Sequence, residues 1–306
     1  MIPDCIAVVT GAGGSGCGRA IARRFAKDGA AVVASDINEN GGHETVRLIE
    51  GAGGRAVFFR ADVRDERQVR DLIAFAEQSY GRVTVLVNNA SGPFRPGDET
   101  EHWADTAQTE FLGALYATRH GIEAMRRTGG GAIVNIASIS GLWHGRRFPG
   151  GAPAYDAAKG AMIRLTTSLE GFAAKDGIRV NCLAPGWIAT DGPRQYWESL
   201  TPAQRTERGV PSRLLSVDDV SNAVIHLATD RTLAGRVLLW WSEDHPRLIR
   251  RGDRGIQRRR RDCALKRLLK CFREAPTSSK VIWLIELTAS INVRRVSRPI
   301  PCGSPR

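Results

Sequence analysis

No two cysteines stand at metal-ligand or redox spacing. Cys5, Cys17, Cys182, Cys263, Cys271 and Cys302 are scattered, with no C-x-x-C pair. This argues against a zinc ribbon and a disulfide framework and predicts reduced thiols. The six histidines (His43, His102, His120, His144, His226 and His245) lack ligand spacing, so no metal site is expected. The opening MIPDCIAVVTGAG has no basic stretch ahead of its apolar residues, so no secretory signal is expected. The longest apolar run of the C-terminal region, Val281 to Leu287, is broken by Glu286 and is too short to span a bilayer. The expectation is a cytoplasmic protein with no membrane partner.

Acidic residues are scarce in one place only. Of the 44 Lys and Arg, 17 lie from Pro246 to Arg306, beside 4 of the 32 Asp and Glu. The first 245 residues then hold 27 basic and 28 acidic groups, so the formal charge of +12 belongs to the tail. A nucleic-acid partner has only that charge behind it. The tail carries four consecutive arginines at 258–261 and no steady apolar period. Residues 246–306 therefore read as a basic, poorly ordered extension, with a short helix near 262–273. The abrupt change in composition also fits a frameshifted or read-through end.

Residues 1–245 alternate short Val- and Ile-rich runs with amphipathic segments. The runs 5–10, 30–35, 55–61, 83–87, 131–138, 177–184 and 235–240 are apolar almost throughout, as strands covered on both faces must be. Helices are predicted over 18–28, 40–50, 66–80, 100–127, 154–175 and 217–229, several closed by glycine. Repeated strand–helix–strand units imply one α/β domain, 1–245, built as a doubly wound seven-stranded parallel sheet with helices on both faces. Residues 186–216 break the rhythm with a polar, aromatic stretch and read as a substrate loop or lid.

Two groups of residues carry chemistry. The first is Thr10-Gly11-Ala12-Gly13-Gly14-Ser15-Gly16-Cys17-Gly18, between the first strand and first helix. Glycines let backbone approach a pyrophosphate, and the helix N-terminus offers N–H donors. Gly11, Ser15, Gly16, Cys17 and Gly18 are the candidate contacts. Asp36 ends the second strand, where a carboxylate accepts from ribose hydroxyls and repels a 2′-phosphate; capping the next helix is its other reading. NAD is favoured over NADP.

The second group is Ser138, Tyr155 and Lys159. Tyr155 and Lys159 are one helical turn apart. The lysine is expected to lower the phenol pKa, and Ser138 to hold the same substrate oxygen.

In order and spacing, these residues resemble the short-chain dehydrogenase/reductase family. The resemblance covers residues 5–240 through the Thr10–Gly18 loop, Asp62-Val63, Asn88-Asn89-Ala90, Ile133–Ser138, Tyr155-x-x-x-Lys159, and Asn181 with Pro185-Gly186-x-x-x-Thr190. It implies that Asp62 and Val63 meet the adenine and that Asn89 lies against the cofactor. It further implies that Lys159 binds the nicotinamide ribose, that Ile188 and Thr190 lie near the carboxamide, and that the chain forms a homodimer or homotetramer.

Four positions depart from the family pattern. The glycine loop is one residue longer. The usual Asn-Asn-Ala-Gly ends in Ser91. The Asn that holds a relay water beside the lysine is Glu110, which enters here as a catalytic candidate. The loop between Ser138 and Tyr155 is long.

The expected activity is NAD-dependent hydride transfer between a small secondary alcohol or ketone and nicotinamide. An NADP-linked carbonyl or 3-oxoacyl reductase and a non-catalytic dinucleotide sensor are the alternatives.

Overall fold

A computed structural model describes residues 4–93, 100–142 and 152–250. The expectations for 251–306, for residues 94–99 and for most of the loop before Tyr155 lie outside the described residues.

Eleven elements fill the chain as far as Ser168: β1 (Ile6–Thr10), α1 (Cys17–Lys27), β2 (Ala31–Asp36), α2 (Glu39–Glu50), β3 (Arg55–Arg60), α3 (Glu66–Tyr80), β4 (Val85–Asn88), α4 (Trp103–Ala107), α5 (Gly113–Arg127), β5 (Gly131–Ile136) and α6 (Pro153–Ser168). There follow α7 (Phe172–Asp176), β6 (Ile178–Pro185), α8 (Asp191–Glu198), α9 (Pro202–Arg208), α10 (Val217–Thr229), β7 (Val237–Trp240) and β8 (Arg247–Leu248).

The strands form one sheet in the order β3-β2-β1-β4-β5-β6-β7-β8. Every pairing from β3 to β7 is parallel, for example Val8 opposite Val33 and Leu86 opposite Ile133. The chain order reverses between β1 and β4, the kind of switch point at which open α/β sheets bind ligands outside the carboxyl ends of their strands.

The sheet has eight strands rather than seven, and β8 runs antiparallel to β7 with Leu248 opposite Leu238. A two-residue strand in a basic run carries no period, so it leaves no signal in the sequence.

Both faces are covered, which explains the unbroken apolar strands. On one face Ile21 and Phe25 of α1, Ile49 of α2 and Val220, Val224 and Leu227 of α10 pack on the sheet. On the other lie Val69, Leu72 and Ile73 of α3 with Ile122 and Met125 of α5. Met162 of α6 packs against Cys182 and Leu239. Each large side chain so buried contributes about 1.5–3 kcal/mol relative to exposure.

Three predicted elements differ in detail. The helix expected over 154–175 ends at Ser168, and α7 follows as a separate short helix. The helix expected over 100–127 begins with a 3-10 turn, and a π-helical turn, Gln108–Leu112, separates α4 from α5. The 186–216 excursion contains α8 and α9 and is pinned at its ends. Trp187 N–H donates to Ser242 Oγ at 2.9 Å, and Leu215 N–H donates to the Trp187 carbonyl at 2.8 Å.

Candidate active site

The elements deliver the candidate residues to the carboxyl edge of the sheet. From Thr10 the chain turns through Gly11, whose φ is +69°, a backbone region where glycine avoids strain. Asn89, just past β4, clamps this turn: its side-chain amide donates to the carbonyls of Thr10 at 3.0 Å and Gly11 at 3.2 Å. Thr10 Oγ1 accepts the N–H groups of Asn89 and Ala90, each at 3.1 Å. At Gly18 a Cβ would sit 2.0 Å from the Gly11 oxygen, so that position admits no side chain.

The longer loop is tied down at Ala12 and Gly13. Gly13 N–H donates to Asp36 Oδ2 at 2.7 Å, and Arg19 Nη2 donates to the Gly13 carbonyl at 3.1 Å. Thr45 Oγ1 donates to the Ala12 carbonyl at 2.6 Å. Helix α1 has Gly16 at its N-cap, with no capping side chain and no acidic residue in its first turn. Its positive end therefore stays available to an anion, and the loop fits a dinucleotide pyrophosphate.

Asp36 ends β2 with its carboxylate shared between Gly13 N–H and Asn38 N–H, the latter at 2.9 Å. Each carboxylate oxygen keeps a further acceptor site for a ribose hydroxyl. Ile37 beside it is a large apolar side chain, 56% exposed, that sequence reasoning passed over.

Asp62 turns its carboxylate to the Arg64 guanidinium, with contacts of 2.7 to 3.0 Å that hold its pKa below the usual carboxylate range. Val63 is buried against Gly113, where a Cβ would lie 2.7 Å from the Val63 Cβ.

Thr190 closes the loop's far side, its methyl 3.2 Å from where a Gly16 Cβ would stand. Ile188 pairs with Leu215 and is partly buried against the core. Ser15 Oγ donates to Asp191 Oδ2 at 2.8 Å, a link between loop and α8 with no signal in the sequence. Burial pushes the Cys17 thiol up to about 11, so it is a spacer rather than a reactive thiolate.

The residues of the second group lie together. Tyr155 lies in the first turn of α6, and Ser138, two residues past β5, hydrogen-bonds its hydroxyl. Lys159 Nζ stands 5.3 Å from the Tyr155 ring centroid and donates to the Ile136 carbonyl at 2.9 Å.

Glu110 comes in from the π turn. Its Oε2 lies 2.9 Å from Lys159 Nζ as a buried ion pair, the two side chains 2% and 4% exposed. Burial opposes the Lys159 charge, but Tyr155 and Glu110 outweigh it and raise the lysine pKa.

The expectation of an acidified phenol is corrected here. Burial is the largest influence on Tyr155 and raises its pKa above the ordinary value. Lys159 and the Ser138 hydrogen bond pull it down, while Glu110 and Asp156 push it up.

Among the described residues no group of three or more His, Cys, Asp or Glu could hold a metal, and no helix is long and apolar enough to cross a membrane.

The geometry is that of an α/β dinucleotide-binding enzyme with a Ser–Tyr–Lys cluster. The short chain dehydrogenase family model matches residues 5–200. The chain is 36% identical over 234 residues to a protein of Rhizobium meliloti (strain 1021) named as a galactose dehydrogenase, covering 74% of this chain and 89% of that one. It is 35% identical over 229 residues to a cis-4-hydroxycyclohexanecarboxylate dehydrogenase of Sinomonas cyclohexanicum, again covering 74% and 89%. A crystal structure described as a short-chain dehydrogenase/reductase from Burkholderia xenovorans superposes with a TM-score of 0.69 at 32% identity, covering 78% of this chain and 95% of that one.

The chain belongs to the short-chain dehydrogenase/reductase family. It is an oxidoreductase acting on CH–OH groups of small molecules with NAD(P).

Proposed function

We propose that the protein is an NAD-dependent dehydrogenase of a secondary alcohol, or of the corresponding ketone in reverse, with Tyr155 as acid/base. The observation that carries this is the convergence of Ser138 and Lys159 on Tyr155, at the same sheet edge as the glycine loop and Asp36.

The Gly11–Gly18 loop and the α1 N-terminus would hold the pyrophosphate, and Asp36 the adenosine ribose. Asp36 also disfavours a 2′-phosphate by charge, which supports NAD over NADP. Lys159 would hold the nicotinamide ribose. Asn89 acts from behind by fixing the loop, and Thr190 closes its far side.

A bound nicotinamide supplies the hydride acceptor in one direction and the donor in the other. In the oxidative direction Tyr155 Oη takes the substrate hydroxyl proton as the C–H hydride departs. In the reductive direction it returns that proton to the oxygen. Ser138 Oγ orients and polarises the same oxygen, and Lys159 supplies positive charge beside the forming phenolate. Burial raises the Tyr155 pKa above its ordinary value, so the pH limb is expected on the alkaline side, with oxidative turnover rising and reductive turnover falling as the phenol ionises there.

The test uses galactose and cis-4-hydroxycyclohexanecarboxylate as probe alcohols with NAD and with NADP, following reduced nicotinamide by absorbance. The expected result is faster turnover with NAD. Tyr155→Phe should bind NADH and lose at least about a thousandfold in turnover, in line with the upper part of the usual general acid–base contribution. Near-normal turnover in Tyr155→Phe would overturn the mechanism.

A further inference from the structure

Ser91 and Glu110, two of the chain's departures from its family's pattern, are in direct contact. Ser91 Oγ donates to Glu110 Oε1 at 2.7 Å, and Gly92 N–H donates to the same oxygen at 2.8 Å. The other oxygen, Oε2, has the Lys159 ammonium 2.9 Å away. The carboxylate is 2% exposed and sits in the π turn, a widened stretch of helix of the kind that often marks functional sites.

We propose that Glu110 is a positioning residue for the reaction: its carboxylate ties the Lys159 ammonium to the Ser91–Gly92 segment and sets the charge that Lys159 presents to the Tyr155 hydroxyl. This rests on the reading of Tyr155 as the acid/base.

The physical argument is one of field. An ammonium beside a phenol favours the phenolate, but a carboxylate 2.9 Å from that ammonium cancels much of its effect. Three other groups face the pair. Asp156, on α6 itself, opposes the phenolate as Glu110 does, and Ser138 favours it by a hydrogen bond. Cys182 of β6 faces Lys159, and burial pushes its thiol up to about 12, so it stays neutral. Glu110 is thus the carboxylate through which the charge of Lys159 is adjusted. Nothing in the arrangement requires it to touch substrate.

The test reads Tyr155 directly, without substrate or cofactor. Tyrosinate ultraviolet absorbance is titrated against pH, and the same titration of Tyr155→Phe is subtracted to isolate one phenol. The titration is repeated with Glu110→Gln, which keeps the shape and an acceptor oxygen for Ser91 and Gly92 but removes the charge. Glu110→Asn, the residue type the family places there, serves as the second variant. Each subtraction uses the matching double variant with Tyr155→Phe.

The expected result is that Tyr155 titrates about one pH unit lower in both variants, the low end of what a neighbouring charge does. The pH limb of oxidative kcat on the probe alcohols should move the same way, with little change in KM for the alcohol. A Tyr155 titration that stays put in a folded variant, or moves upward, would overturn the inference. That failure is distinct from failure of the functional reading, which shows as turnover surviving in Tyr155→Phe.

Discussion

Asp36 has two tasks in this chain. In the proposed reading its carboxylate meets a ribose; it also accepts Gly13 N–H at 2.7 Å and Asn38 N–H at 2.9 Å, which fixes the longer glycine loop. Asp36→Ala should therefore show two effects. Orphaning Gly13 N–H is expected to cost about 1–3 kcal/mol of stability, measured by denaturant unfolding without cofactor. Affinity for NAD should fall as well, and discrimination against NADP should relax, because the charge that repels a 2′-phosphate is gone. An unchanged NAD/NADP preference in a folded Asp36→Ala protein would move the ribose site elsewhere. Glu110 likewise has two partners, its carboxylate meeting both a backbone segment and the Lys159 ammonium.

At the scale of elements, what the sequence makes legible divides by range. Strands from β1 to β7 and helices α1, α2, α3 and α10 follow from apolar runs and 3.6-residue periods, with bounds within two or three residues of expectation, whereas the helices expected over 100–127 and 154–175 are each broken, the second after Ser168. The Tyr155–Lys159 pair follows from helical spacing alone. The π turn was not legible, because widening a helix by one residue leaves the composition unchanged and only shifts its phase. The Ser91–Glu110 contact was equally hidden: both positions stood out singly, but their bond joins a strand end to a helix 19 residues on. The sign of the Tyr155 shift needed burial, which a pair of residues four apart does not report.

Where α1 leaves β1 the spacing is unforgiving. A Cβ on Gly18 would approach the Gly11 oxygen to 2.0 Å and the Asn89 amide nitrogen to 2.6 Å. Gly18→Ala is thus expected to displace the phosphate loop and to lose NADH binding by fluorescence titration. Wild-type affinity in that variant would show that α1 can shift on the sheet without cost.

For the whole molecule, the sheet reaches past the seven strands legible in the sequence. In β8, Leu248 pairs with Leu238 and packs on one core layer, while Ile249 packs on another and donates its N–H to the Val237 carbonyl at 2.9 Å. Arg236 Nη2 donates back to the Ile249 carbonyl at 3.1 Å. Residues up to about 250 are therefore expected to belong to the catalytic domain, while the charge excess lies mainly beyond them. Two truncations separate these parts. Ending the chain after Arg250 keeps β8 and every functional group of the candidate site, so unfolding midpoint, NAD affinity and turnover should match the full chain. Ending it after Asp244 removes β8 and uncovers the β7 edge. Losing two half-buried aliphatic side chains with their ladder bonds should cost about 2–4 kcal/mol, lowering the denaturant midpoint. Equal stability of the two truncated chains would show β8 to be dispensable. A loss of turnover on cutting after Arg250 would place part of the basic segment within the working enzyme.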